Sequence, residues 1–228
     1  KEPQEEPDMP DPNEFETEYY TPEELERVEE HISSHFGEFE TVMHELVSPD
    51  IHVDIFIVEP TAERNYYTLV TSGMGAHRMN VPKELAEYKL ERAEIVVYLP
   101  ADWNISDHEE KNYWPLRWLK ILARLPLEED SWLGWGHSVP NGKPFAENTQ
   151  LSSVLLINPE NVEEGAAVCQ LPNGEEVNFY QMIPLYEEEV NFKIQNGAET
   201  LLGKMGEISA VVDIHRLNVC EGFGRPKE

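Results

Sequence analysis

Apolar and polar positions follow two periods along this chain, and the places where one period gives way to the other mark its elements. Residues 65–74 read Asn-Tyr-Tyr-Thr-Leu-Val-Thr-Ser-Gly-Met. That β-branched and aromatic run, closed by Gly73, predicts a buried central strand. Residues 51–58 before it and 93–99 after it have the same character and predict neighbouring strands. Residues 39–47 alternate imperfectly, as a half-buried strand does, and Ser48-Pro49-Asp50 turns that strand back into the next as an antiparallel pair. Thr21-Pro22-Glu23-Glu24 supplies a capping threonine, a first-turn proline and a capping-box glutamate. A helix follows, with Leu25, Val28, Ile32 and Phe36 on one stripe, and Gly37 stops it. Tyr113-Trp114-Pro115 opens a second helix carrying Leu116, Leu119, Ile121, Leu122 and Leu125, and Pro126 closes it.

In the second half, residues 153–157 form another strand, and residues 167–171 and 177–183 flank Pro172-Asn173-Gly174, the clearest hairpin signal in the chain. Pro184 starts a helical region through Tyr186, Val190 and Ile194. Asn196-Gly197 interrupts it, and residues 198–205 form a second helical piece ending at Gly206. Residues 211–214 read as a last short strand. Residues 1–19 hold Pro3, Pro7, Pro10 and Pro12 among many acids, with too little apolar surface to offset the entropy of ordering. The expectation is an acidic disordered tail over 1–19 and a single domain over 20–228. Its class is α/β in the α+β sense, a mixed and largely antiparallel sheet flanked by helices.

Charge alters this picture most. Against 17 basic residues stand 45 acidic ones, a formal net charge of −28. Such a field repels nucleic-acid phosphates and anionic lipid and attracts cationic surfaces, so a basic protein partner is expected, unless the acidity serves solubility alone. No apolar run approaches the roughly eighteen residues of a membrane span and no signal peptide opens the chain, which points to a cytoplasmic protein. Cys169 and Cys220 lack the spacing of a redox pair or zinc site and are expected to be reduced and structural.

Catalytic patterns are missing: there is no HExxH, CxxC, GxSxG or phosphate-loop motif. Gly73-Met74-Gly75 opens a possible binding loop but lacks the later glycine and lysine of a phosphate cradle, and Ser72 is not in a nucleophile elbow. His31 and His35 are one helical turn apart with no third ligand nearby. His52 and Asp54 share a strand face, and Asp213 and His215 resemble an acid/base pair in composition. If the fold joined those four, a metal-dependent hydrolase would be the alternative function. Residues 128–140 have the most unusual composition, with two tryptophans and a histidine on a glycine-rich loop. Asp130, Trp132, Trp135 and His137 are therefore the candidate partner contacts, although tryptophans can equally plug a loop onto the core. No catalytic residue, metal ligand or cofactor is assigned.

Glu59-Pro60-Thr61, Arg64, the run from Tyr67 to Met74, and Met79 together resemble the signature of the suppressor of fused (SUFU-like) domain family. Further matches follow in order: Arg92-Ala93-Glu94 leading into the strand that ends at Leu99-Pro100, then Trp114-Pro115, Trp135-Gly136-His137, and Met182-Ile183-Pro184-Leu185. The resemblance covers roughly residues 21–219 and is specific as an ordered set. It implies a mixed α/β domain that binds proteins and is not a known enzyme. In animals, members restrain Gli-type transcription factors by holding an extended peptide between this domain and a second, C-terminal one. For short bacterial chains it implies an immunity-type role, neutralising toxins of neighbouring cells. It supplies no catalytic residue.

Overall fold

A computed structural model describes residues 16–46, 48, 50–206 and 208–224. Of the tail expected over 1–19, residues 1–15 lie outside the described residues. Glu16 to Tyr19 lie within them, and Glu18 makes a parallel bridge to Ile51.

Eight strands form one sheet: β1 (Thr41–Met43), β2 (Asp54–Val58), β3 (Tyr66–Ser72), β4 (Ala93–Pro100), β5 (Ser138–Pro140), β6 (Ser153–Ile157), β7 (Val168–Gln170) and β8 (Glu176–Leu185). Their order is β1-β2-β3-β4-β8-β6-β5, with β7 also on β8. Every pairing is antiparallel except β4 with β8. Register explains why the central strands are apolar throughout. The row Phe56, Val70, Val96 faces one helix, while the row Ile57, Leu69, Val97 faces the other. With both faces covered, the strand pattern becomes a continuous apolar run instead of an alternation.

Helix α1 (Pro22–His35) begins on the predicted capping box: Glu24 N–H donates to Thr21 Oγ1, and Thr21 N–H donates to the Glu24 carboxylate. Val28, Ile32 and Phe36 fill the first face with Tyr98 and Phe179. His31 lies in this interface, buried, with Nε2–H donating to Ala166 O at 2.9 Å. Burial lowers its pKa from 6.5 to about 4. The unfolded chain thus takes up this proton at a higher pH than the folded one. The stability His31 contributes is whole above about pH 6.5 and falls as pH drops toward 4. Urea midpoints taken across that window are expected to fall less steeply in His31→Gln, which can still donate to Ala166; an unchanged slope would remove His31 from the acid response.

Helix α2 (Glu110–Glu128) covers the opposite face with Trp114, Leu116, Trp118, Leu119 and Leu122. Prolines were expected at its two ends, yet Pro115 and Pro126 both lie inside it. The extra N-terminal turn rests on Asp107, which accepts from Glu109 N–H and from Asn112 Nδ2. Full burial of Trp114 offsets the backbone bond that Pro115 cannot make. Helices α3 (Glu187–Asn196) and α4 (Ala198–Met205) close a third cluster over β6 and β8.

Other boundaries differ for local reasons. Pro184 ends a strand instead of starting a helix: it pairs with Val154. Its carbonyl accepts from Arg216, so its missing N–H points to the side away from β6. Residues 211–214 are not a strand. Val212 N–H reaches Tyr98 O, but the Asp213 carboxylate then takes His215 N–H and turns the chain. The strand expected over 39–47 shortens to β1, and Val47 lies outside the described residues. Among the described residues, no helix is long and apolar enough to cross a membrane.

Candidate functional site

The tryptophan loop runs from the end of α2 to β5, and backbone bonds hold it at both ends. Ser131 N–H donates to Pro126 O, and Asn80 donates from its backbone to Ser131 O and from its side chain to Asp130 O. Asp130 has φ +46°, and Leu133 is buried. At the far end, Gly136 N–H donates to Leu156 O at 2.7 Å and Leu156 N–H donates to His137 O at 2.9 Å. These bonds extend the β5–β6 ladder past β5 and make the loop rigid.

Within that frame the two tryptophans have different environments. Trp132 packs on the core and meets His137 edge-on, with 4.4 Å between ring centroids. Gly134 lies beneath it, where a Cβ would come within 2.7 Å of the indole. Gly134 N–H donates to His137 Nδ1, so the ring carries its proton on Nε2; burial, then the neighbouring Lys193, lowers its pKa. Trp135 is 40% exposed. Of the four candidate contacts, Trp132 and His137 form one packed pair, while Asp130 and Trp135 face solvent.

The hydrolase residues are not brought together. His52 Nε2 lies 3.0 Å from Asp54 Oδ1, and His44 Nδ1 is 3.2 Å from Oδ2. Asp54 stands opposite Ser72, whereas Asp213 follows the residue bonded to Tyr98, which stands opposite Thr68. Four residues of β3, roughly 13 Å, separate the two places. Among the described residues no group of three or more His, Cys, Asp or Glu side chains is placed to hold a metal. The His31 and His35 rings lie 4.3 Å apart and tilted by 47°, but their bonds go to Ala166 O and the Glu163 carboxylate. Cys169 and Cys220 are free, buried thiols in separate clusters. Burial pushes Cys169 up to about 11, which leaves it a poor nucleophile.

Sequence reasoning missed the most elaborate polar site. Glu94, on β4, is 0% exposed and accepts five hydrogen bonds. Tyr20 Oη donates at 2.5 Å, Thr71 Oγ1 at 2.8 Å, and the backbone N–H groups of Gly73, Met74 and Gly75 at 3.0–3.1 Å. Gly73-Met74-Gly75 is thus an anion cradle after all, and the anion is the chain's own carboxylate. Both glycines are required: a Cβ on Gly73, at φ +130°, would meet His52 O at 1.9 Å, and one on Gly75 would meet Tyr20 Oη at 2.0 Å. Burial pushes the Glu94 carboxyl up to about 7 while its donors pull the other way. Arg92, also buried, ties this loop to Glu24 and Glu175 and donates to Gly75 O. The site is closed, and it can set loop geometry but receive no ligand. The one sequence signal was a glutamate in the interior of an otherwise apolar strand.

Comparison with known proteins agrees with this architecture. The family model described as suppressor of fused protein (SUFU) matches residues 49–217. An uncharacterised protein, UU111, of Ureaplasma parvum serovar 3 is 26% identical over 201 residues, covering 86% of this chain and 96% of that one. A crystal structure of a SUFU homolog from Neisseria gonorrhoeae superposes with a TM-score of 0.61 at 18% identity, over 86% of this chain and 96% of the other. A Sufu–Fu complex gives 0.62 at 13% identity, over 87% and 93%. Drosophila Suppressor of Fused gives 0.53 at 14% identity, over 74% of this chain and 42% of that one. With the matched segment spanning β2 through Leu217, the chain belongs to the suppressor of fused (SUFU) family.

Proposed function

We propose that this protein works by binding another protein without catalysing a reaction, as an immunity-type antagonist that neutralises a basic toxin. In this reading it acts in the cytoplasm as one domain over 20–228 behind an acidic tail. Trp135 and Asp130 make contact, while Trp132 and His137 brace the loop beneath them. Family membership supports the protein-binding part, and one of the solved structures it resembles is of a Sufu–Fu complex. The observation that carries the reading is Trp135, an indole left 40% exposed on a loop that backbone bonds hold at both ends. A large exposed aromatic on a backbone already fixed in place loses little chain entropy when a partner buries it, which is how interface hot spots are built.

The partner to test is a toxin encoded beside this chain. Trp135→Ala is expected to weaken that complex by about 30-fold or more, the scale of a hot-spot tryptophan, with melting unchanged. Trp132→Ala should instead cost about 2 kcal/mol of stability, less than a fully buried tryptophan would. If Trp135→Ala lowers melting and leaves binding intact, the loop is a plug and not a contact.

Charge sets a second expectation. The net charge of −28 should steer a basic partner, so the association rate is expected to fall steeply with added salt while dissociation changes little. Stopped-flow association between low and physiological ionic strength measures this, and a rate indifferent to salt removes steering from the account.

A further inference from the structure

The connection from β1 to β2 joins three side chains into a hydrogen-bonded line. Ser48 Oγ lies 2.7 Å from His52 Nδ1, and His52 Nε2 lies 3.0 Å from Asp54 Oδ1. An ionised carboxylate only accepts, so in the neutral ring Nε2 carries the proton and the Nδ1 lone pair faces the Ser48 hydroxyl. That is the order of a serine–histidine–aspartate relay with the two ring nitrogens exchanged. Each member is also held from outside the line. Asp54 takes Glu45 N–H at 3.1 Å on Oδ1, and His44 Nδ1 lies 3.2 Å from Oδ2. The Tyr19 ring stacks on the imidazole with 5.5 Å between centroids, and Thr17 Oγ1 donates to Ser48 O at 2.7 Å. Ser48 and His52 are both partly open to solvent, the His52 side chain by 27%.

We propose that Ser48 is an acyl-acceptor site, whose hydroxyl takes one acyl group from an activated ester or thioester. Ser48 Oγ attacks the acyl carbon and forms the new C–O bond while its proton passes to His52 Nδ1. The bond from that carbon to the donor's oxygen or sulfur breaks, and the leaving alkoxide or thiolate takes the proton that His52 holds. The chain gains an ester, the donor departs as an alcohol or thiol, and nothing is oxidised or reduced. Asp54 is a positioning residue: it fixes which ring nitrogen is free and stabilises the imidazolium that forms. A serine hydroxyl with no base in reach is a poor nucleophile at neutral pH, and the line supplies that base. This is a single transfer without turnover, so it stands beside the protein-binding reading and does not depend on it.

The test uses the full chain with p-nitrophenyl acetate, following release of p-nitrophenolate and locating the acetyl group by peptide mass spectrometry. One equivalent of release and an acetyl ester on Ser48 are expected, and hydroxylamine should remove that ester while leaving acetylated lysine amides. Ser48→Ala should abolish the ester, and His52→Gln should slow its formation about 100-fold or more, the scale of a lost general base. Asp54→Asn can donate to Nε2 and so place the ring proton on Nδ1, which should cost a similar factor. The wild-type reaction should also slow in D2O, and that isotope effect should be lost in His52→Gln; a ring that only braced the turn would give neither. Acetylation of Ser48 no faster than that of the exposed Ser106, or unchanged in His52→Gln, overturns the site. Release that runs past one equivalent and is lost in Ser48→Ala overturns the single transfer and the non-catalytic reading together, whatever Trp135→Ala does to binding.

Discussion

Glu94→Gln is expected to cost about 3 kcal/mol or more of stability, although it is nearly isosteric and removes a single charge. Glu94 Oε2 accepts from Tyr20, Gly73 and Gly75, and Oε1 accepts from Thr71 and Met74. A glutamine offers one carbonyl oxygen and one NH2, so whichever way it turns, at least two buried donors face another donor. The backbone N–H groups cannot turn away, because Ala76 N–H donates to Gly73 O and Arg92 Nε–H donates to Gly75 O, which hold the turn. Tyr20→Phe removes one donor and leaves four, so it should cost only about 1 kcal/mol. Urea denaturation of the three proteins at pH 8 checks the order. If Glu94→Gln proves as mild as Tyr20→Phe, the cradle does not hold an anion and the account of the loop is wrong.

That site also shows where sequence reading stops. The central strands were legible because both sheet faces are covered, so Ile55 to Val58, Leu69 to Val70 and Ile95 to Leu99 are apolar without interruption. The start of α1 was legible because a capping box is local, and so was the turn at Pro172-Asn173-Gly174. Glu94 was not, since its donors lie 19 to 74 residues away and a lone acid in a strand ordinarily marks a solvent-facing position. The same limit applies to the tryptophans. Composition singled out the loop but treats Trp132 and Trp135 alike; only the His137 ring and the Gly134 approach make one a brace and leave the other exposed. The strand β5 escaped because it is three residues long and ends in proline, as edge strands do.

The second large effect is expected at Glu189, which is 0% exposed and holds the C-terminal segment to the body. Its carboxylate takes Arg216 at 2.5 and 2.7 Å on two nitrogens, Tyr186 N–H at 2.8 Å and Val219 N–H at 3.2 Å. Arg216 is almost as buried and lies over the Tyr186 ring, whose hydroxyl donates back to Arg216 O. Glu189→Ala would leave a buried guanidinium and two backbone donors without their acceptor, so a loss of about 3–5 kcal/mol is expected. Arg216→Leu alone should cost a similar amount by stranding the carboxylate. In Glu189→Leu/Arg216→Leu neither charge remains to be desolvated, so the double variant should be less destabilised than the sum of the single ones, with a coupling of about 2 kcal/mol or more. Denaturant midpoints across the four proteins of the cycle measure it. Additive losses would show that the pair is held apart by water and does not fasten residues 216–220 to α3.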